Sequence, residues 1–383
     1  MANLTEIFTN IATTIRSKAG ISTKIPADKL YEYIDGLVVN GFIAPALPGN
    51  LTKYTGNVDY LSVARSNLAA TTVSNYYALF GGGLTVTPPA STVVSNAVEF
   101  YSYTLTTGIA TSLSQGRTRL FATTVGNYAL FAGGFNNATT YFNDVDSYNI
   151  SLTKNVAGIL TQKRISAAST TVGNYALFGG GFNGMINNDE VDAYYVNLTK
   201  GYVPSLSSRK ASLAATTVGN YALFAGGAAS DVSNTVDYYT NNLTKGIANV
   251  LSLERVELAA TTVGSHALFG GGNNNNGVSG IVDSYSALLT KGTPVALSNS
   301  RCYLSATNIG GTYALFGGGY NNTKYFNDVD SYDRNLTKSI STGLTVSLSN
   351  LAATAVDKYA LFAGGGMGTD MISKAVDVYT LEE

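Results

Sequence analysis

His266 is the only histidine of the chain and Cys302 the only cysteine. Zinc asks for several nitrogen or thiolate ligands, and a nucleophilic Ser or Cys asks for a histidine base, so neither chemistry can be assembled from this pair. A single cysteine also rules out an intrachain disulfide. One catalytic route stays open, glycoside hydrolysis by two carboxylates. Seven acids, Glu99, Asp146, Asp192, Asp237, Asp283, Asp330 and Asp377, stand at the same point of a repeated segment. Seven equivalent sites do not serve one reaction, so each acid is expected to bond a nearby turn or the basic residue of its own repeat. Asp144 and Asp328 point to a shared loop conformation, and His266 stands where other repeats carry Tyr. The inventory predicts no catalytic residue, no metal and no cofactor.

Binding chemistry is better supplied. The segments that differ most between repeats hold Phe135, Tyr141, Phe142, Phe182, Met185, Tyr320, Tyr325 and Phe326, with Asn273 to Asn276 and Met371 in neighbouring copies. Two repeats share Tyr-Phe-Asn-Asp, at Tyr141 to Asp144 and at Tyr325 to Asp328. Aromatic faces beside Asn and Asp suit saccharide or protein recognition through stacking and paired hydrogen bonds. The plainer expectation is that these rings fold under their own loops.

The elements that must position these residues follow from the repeat. An Ala-Leu-Phe core recurs at Ala78, Ala129, Ala176, Ala222, Ala267, Ala314 and Ala360, with spacings of 51, 47, 46, 45, 47 and 46 residues. That period belongs to propeller blades. Each copy reads as four strands. The first is small and β-branched, as in Leu213 to Val218, where crowding around an axis admits only Ala and Thr. A Gly-Asn turn (Gly219, Asn220) leads to an apolar second strand, Tyr221 to Phe224, ending at a glycine pair. The pair turns the backbone where a Cβ would strike the neighbouring blade. Val-Asp-x-Tyr marks the third strand, as at Val236, Asp237 and Tyr239, and Leu-Thr-Lys opens the fourth, as at Leu243 to Lys245. Asn-x-Thr triplets such as Asn242 to Thr244 recur at that point and belong to its local backbone chemistry. The earliest fourth strand, near Leu51 to Arg65, precedes every first strand. It therefore completes the last sheet, beside Val376 to Tyr379, and removes the open edges.

Gly-Gly after an apolar strand, Tyr after an acid, and a basic residue ahead of the first strand (Arg65, Arg117, Arg164, Lys210, Arg255, Arg301, with Leu348 in the seventh copy) resemble the kelch repeat. The resemblance covers about 330 residues and implies an all-β, seven-bladed propeller of four-stranded antiparallel blades. It also implies that the loops between second and third strands share a partner-binding face with those entering each first strand. Kelch repeats place a Trp on the fourth strand, and this chain has none. The Gly-His and Trp-Asp pairs of the WD type are absent as well. The kelch enzymes that oxidise sugars need histidine ligands for copper, which this chain cannot supply.

The composition agrees with many short strands: 41 Gly, 26 Tyr and 15 Phe among 383 residues, with 12% charged. A net charge of −1 gives no general attraction to nucleic acid or to anionic membranes. Residues 1–40 differ, with helical periodicity in place of strand alternation. Leu4, Ile7, Phe8, Ile11 and Ile15 form one apolar stripe, and Leu30, Ile34 and Leu37 a second after Pro26, which predicts a helical hairpin. Residues 41–50 read as a linker and 51–383 as the propeller. The start is no secretory signal peptide, and no stretch has the length of a membrane span.

Two short amphipathic helices must cover their stripes against a partner or a second copy, which predicts a homo-oligomer or an attachment point. The hairpin, through Ile11, Ile15-Arg16-x-Lys18-x-Gly20, Ile25-Pro26, Leu30 and Ile34, resembles a module of tailed-phage virion proteins. That resemblance implies a non-enzymatic structural or binding protein in a virion, such as a tail fibre. The hairpin would attach to other virion proteins, and a propeller face would meet a host cell-surface glycan or protein. Two alternatives are a scaffold of the bacterial cytoplasm and a carbohydrate-active propeller enzyme.

Overall fold

The structure, a computed structural model, describes residues 49–87, 91–136, 138–368 and 371–382. The expected hairpin, with Leu4, Ile7, Phe8, Ile11, Ile15, Leu30, Ile34 and Leu37, lies outside the described residues.

Seven four-stranded antiparallel sheets form a propeller. Blade 4 shows the pattern: Ala214–Val218, Tyr221–Ala225, Val236–Thr240 and Lys245–Ala248, each paired with the next. Buried and half-buried residues alternate along the first strand, whereas the second is buried after its leading Tyr. The first strand therefore packs one face between blades and turns the other to the axis. The first strands of neighbouring blades adjoin one another all the way round, including blade 1 with blade 7. Threonine hydroxyls join them, Thr71 to Thr124 at 2.8 Å, Thr123 to Thr171 at 3.0 Å and Thr170 to Thr217 at 2.7 Å. They enclose an axial cavity of about 370 Å³.

The ring closes through Leu51–Lys53, which pairs with Val376–Leu381 as Leu51 to Leu381, Thr52 to Thr380 and Lys53 to Tyr379. The fourth strands are shorter than the sequence suggests. Leu105, Leu152, Leu198, Leu243, Leu289 and Leu336, the leucines expected to begin them or standing at that point, adopt φ between 56° and 67°. Left-handed backbone cannot extend a ladder, so in blades 2 to 6 this residue closes a turn and the lysine two positions later begins the strand. Asn197 shows the turn chemistry, its Oδ1 accepting from the Thr199 amide at 3.0 Å. Likewise, after a last bond from Tyr54 N to Val378 O (2.8 Å), residues 55 to 65 leave the ladder and follow blade 7 through Leu61 N to Lys374 O (2.9 Å) and Arg65 N to Ser373 O (3.1 Å). Three of the variable loops add two-stranded ribbons that alternation did not reveal, the longest being Leu84–Thr87 with Ser91–Val94 in blade 1.

The glycine pair has the expected role. Gly82 has φ 68°, and a Cβ there would stand 2.6 Å from the Arg117 carbonyl oxygen of the next blade. The following amide, Gly83 N, donates to that same oxygen at 2.9 Å. Equivalent bonds link every successive pair of blades, ending with Gly365 N to Arg65 O at 2.8 Å.

Candidate functional site

The repeated acids are structural. Asp146 is fully buried and takes the Arg117 guanidinium at 2.8 Å, the Ser114 amide at 2.9 Å and the Ser114 hydroxyl. The same set recurs with Arg164 and Asp192 (2.6 Å), Lys210 and Asp237 (3.0 Å), Arg255 and Asp283, and Arg301 and Asp330 (2.9 Å). A lysine from the fourth strand adds a second cation in blades 2 to 6, for instance Lys338 to Asp330 at 3.1 Å. Burial alone would raise the Asp330 carboxyl, but Arg301, Ser298 and Lys338 together hold it below the ordinary aspartate value. Blade 7 carries Leu348 in place of the arginine, and Asp377 relies on Lys53 at 2.6 Å and on Thr345. Blade 1 does the reverse: Glu99 reaches Arg65 at 2.6 Å and the Ser62 amide at 2.6 Å, with Thr107 where the lysine would be. Two residues beyond each acid, a buried tyrosine meets the second-strand Phe edge-on, as Tyr148 does with Phe131 at 5.8 Å. Its hydroxyl donates to the Thr111 carbonyl at 2.8 Å.

Two residues beyond each basic position lies a different kind of site. Asn67, Arg119, Ser166, Ser212, Glu257, Tyr303 and Asn350 all have φ between 52° and 58°. Their backbones form a closed circle, each amide donating to the carbonyl of the preceding member: Arg119 to Asn67 (3.0 Å), Ser166 to Arg119 (3.4 Å), Ser212 to Ser166 (2.9 Å), Glu257 to Ser212 (2.9 Å), Tyr303 to Glu257 (3.1 Å), Asn350 to Tyr303 (3.0 Å) and Asn67 to Asn350 (2.9 Å). All seven line one funnel of about 860 Å³ at this end of the axis. The leucine or alanine after each ring member leads into the first strand, which fixes the ring to the rigid part of the blade.

The lip carries two charges. The Tyr303 hydroxyl donates to Glu257 Oε1. Burial raises the Glu257 carboxyl above its ordinary value, against the opposing pull of Tyr303 and Arg119. Burial also raises the Tyr303 phenol, and the Glu257 carboxylate adds to that shift. Arg119 belongs to blade 2, three blades from Glu257 one way and three from Tyr303 the other, and its guanidinium lies 5.9 Å from the centre of the Phe135 ring.

The eight loop residues expected to bind divide four ways. Tyr320 and Tyr325 stack at 4.6 Å and line the funnel. Phe135 stacks on Tyr141 at 5.5 Å, and Tyr141 meets Phe182 edge-on at 6.2 Å, a half-buried cluster beside Arg119. Phe142 and Phe326 are buried beneath their loops, and Met185 is 88% exposed and outside the funnel lining. The Thr118–Phe135 and Cys302–Tyr320 bridges show the second-to-third loops meeting the segments that enter the first strands, so both do share one face. Asn143 and Asn327 donate alike to Leu160 O (3.3 Å) and Leu344 O (3.2 Å), the common loop conformation expected of the Tyr-Phe-Asn-Asp copies. His266 opens the second strand of blade 5 in place of Tyr. Cys302 is buried, which pushes its thiol up to about 12.

Sequence reasoning missed the lip itself: Asn67, Arg119, Glu257, Tyr303 and Asn350. A signal existed. Aligned on the basic residue, the repeats keep a leucine three positions on in six of seven copies, while the position before it runs Asn, Arg, Ser, Ser, Glu, Tyr, Asn.

No family model matches the chain, and no curated protein sequence matches it. Among solved structures, that of YjhT is similar in fold, with a TM-score of 0.59 and 12% identity over 74% of this chain and 99% of the other. The chain is a seven-bladed β-propeller.

Proposed function

We propose that this chain is a non-enzymatic recognition protein whose propeller, of the kelch type, takes a saccharide in its funnel. The observation that carries this reading is the ring of seven left-handed, non-glycine residues around one cavity. A side chain in that conformation costs about 1–2 kcal/mol, which glycine would relieve. The same blades use glycine at the left-handed pair after the second strand, as at Gly82 and Gly83. The turn leucines Leu105 to Leu336 keep the same backbone with one repeated side chain, whereas the lip keeps it at seven positions whose side chains vary around one cavity, and strained positions of that kind gather where side chains meet ligands. Amides and hydroxyls at Asn67, Ser166, Ser212 and Asn350 match sugar hydroxyls, and the Tyr320–Tyr325 stack offers an aromatic wall. Glu257 is the only carboxylate among the described residues lining the funnel, which favours binding over two-carboxylate hydrolysis.

Residues 1–40 supply the second half of the proposal, attachment to a phage or phage-derived particle as a helical hairpin, supported by the sequence resemblance alone. Binding of the full chain to intact bacterial cells, compared with Asn67→Ala and Tyr325→Ala variants, tests the funnel. The variants are expected to lose binding while unfolding normally. Undiminished binding, or new reducing ends released from surface glycans, would overturn it.

A further inference from the structure

Two opposite charges face the funnel without meeting. Arg119 forms no ion pair among the described residues, and its guanidinium lies by the Phe135 ring. Glu257 accepts the Tyr303 hydroxyl at Oε1, and Oε2 takes no hydrogen bond from the described residues. Every repeated acid of the blades, by contrast, is paired with a cation. The backbone circle holds Arg119 and Glu257 on members three blades apart, and no salt bridge joins them, although Arg119 is near enough to act on the Glu257 carboxyl.

Resting on the funnel reading, we propose that the ligand is a zwitterionic amino-sugar acid, its anionic group received by Arg119 and its ammonium by Glu257. A neutral sugar would leave both protein charges without a counter-charge as water is displaced, and a singly charged one would leave one of them so. A ligand with both charges satisfies each through a charge-assisted hydrogen bond, and the guanidinium can hold a carboxylate with two. A cavity of about 860 Å³ lies within the range of small-ligand sites, and a pyranose ring has the Tyr320–Tyr325 stack to pack against.

The test is calorimetric titration of the full chain at neutral pH with muramic acid, glucosamine and glucuronic acid, which carry both charges, the cation alone and the anion alone. Muramic acid is expected to bind about tenfold more tightly than either. Glu257→Gln should bring muramic acid down to the level of glucuronic acid while leaving glucuronic acid unchanged, and Arg119→Gln should bring it down to the level of glucosamine. Equal binding of all three sugars, weakened together by Tyr325→Ala, would overturn the zwitterion and leave the saccharide funnel standing. No binding of any of them at millimolar concentration would overturn both.

Discussion

Arg117 and Arg119 are separated by one residue and share a side chain, yet they do opposite things. Arg117 is wholly buried and meets Asp146 along with the Phe131 and Asp144 carbonyls; its equivalent recurs in six of seven blades. Arg119 is exposed, left-handed and unlike its counterpart in every other blade. The first is chosen by the blade, whose buried acid needs a cation. The second is tolerated by the blade at a conformational cost. Side-chain type does not separate structure from function here, and neither does backbone strain, which the turn leucines share; failure to repeat does.

The largest break should come from the buried frame. Arg65→Leu leaves Glu99 with no cation among the described residues and is expected to cost about 3–5 kcal/mol in urea unfolding. Arg301→Leu should cost clearly less, because Lys338 still serves Asp330, as Lys53 serves Asp377 opposite Leu348. Equal losses would refute the role given to the fourth-strand lysines. At the lip the sign reverses: Ser212→Gly should stabilise by about 1 kcal/mol through relief of the left-handed strain. Arg119→Ala should shift stability by no more than about 0.5 kcal/mol, since no buried partner is stranded.

The smallest effect is in pH. The folded Asp330 carboxyl is lowered, so the stability it lends is present above the ordinary aspartate range and is lost as pH falls through the lowered value. Glu257 is raised, so its contribution is present in acid and is lost as pH rises through the raised value. Unfolding curves of Glu257→Gln and the parent should therefore diverge in the mildly acidic range, with the parent losing more as pH rises. Parallel curves would contradict the shift.

The frame was legible in the sequence because it repeats. Ala-Leu-Phe, the glycine pair and Val-Asp-x-Tyr each carry one physical demand seven times over, and the stretch at Leu51 had only one sheet left to complete. Leu243 misled, since an apolar residue before Thr-Lys looks like the start of a strand and nothing in its identity announces φ of 64°. The lip stayed hidden for a related reason. Its meaning lies in a failure to repeat between Arg117 and Leu120, and left-handed backbone at Arg119 or Glu257 leaves no mark in composition or periodicity. Tyr320 and Tyr325 could be reached from their loop chemistry, but whether a ring faces the funnel or, like Phe326, lies beneath its loop depends on packing outside its own segment.

The hoop of amides around the funnel has an electrostatic consequence. Each amide in it is already taken by the carbonyl of the preceding member, nose to tail in one rotational sense, so none of the seven N–H groups is left to receive an anion. A helix end aimed into a cavity would bias it toward anions; this hoop offers no such donors. Whatever polarity an incoming molecule feels at the mouth is written by side chains alone, so exchanging two residues could invert it without disturbing a single blade.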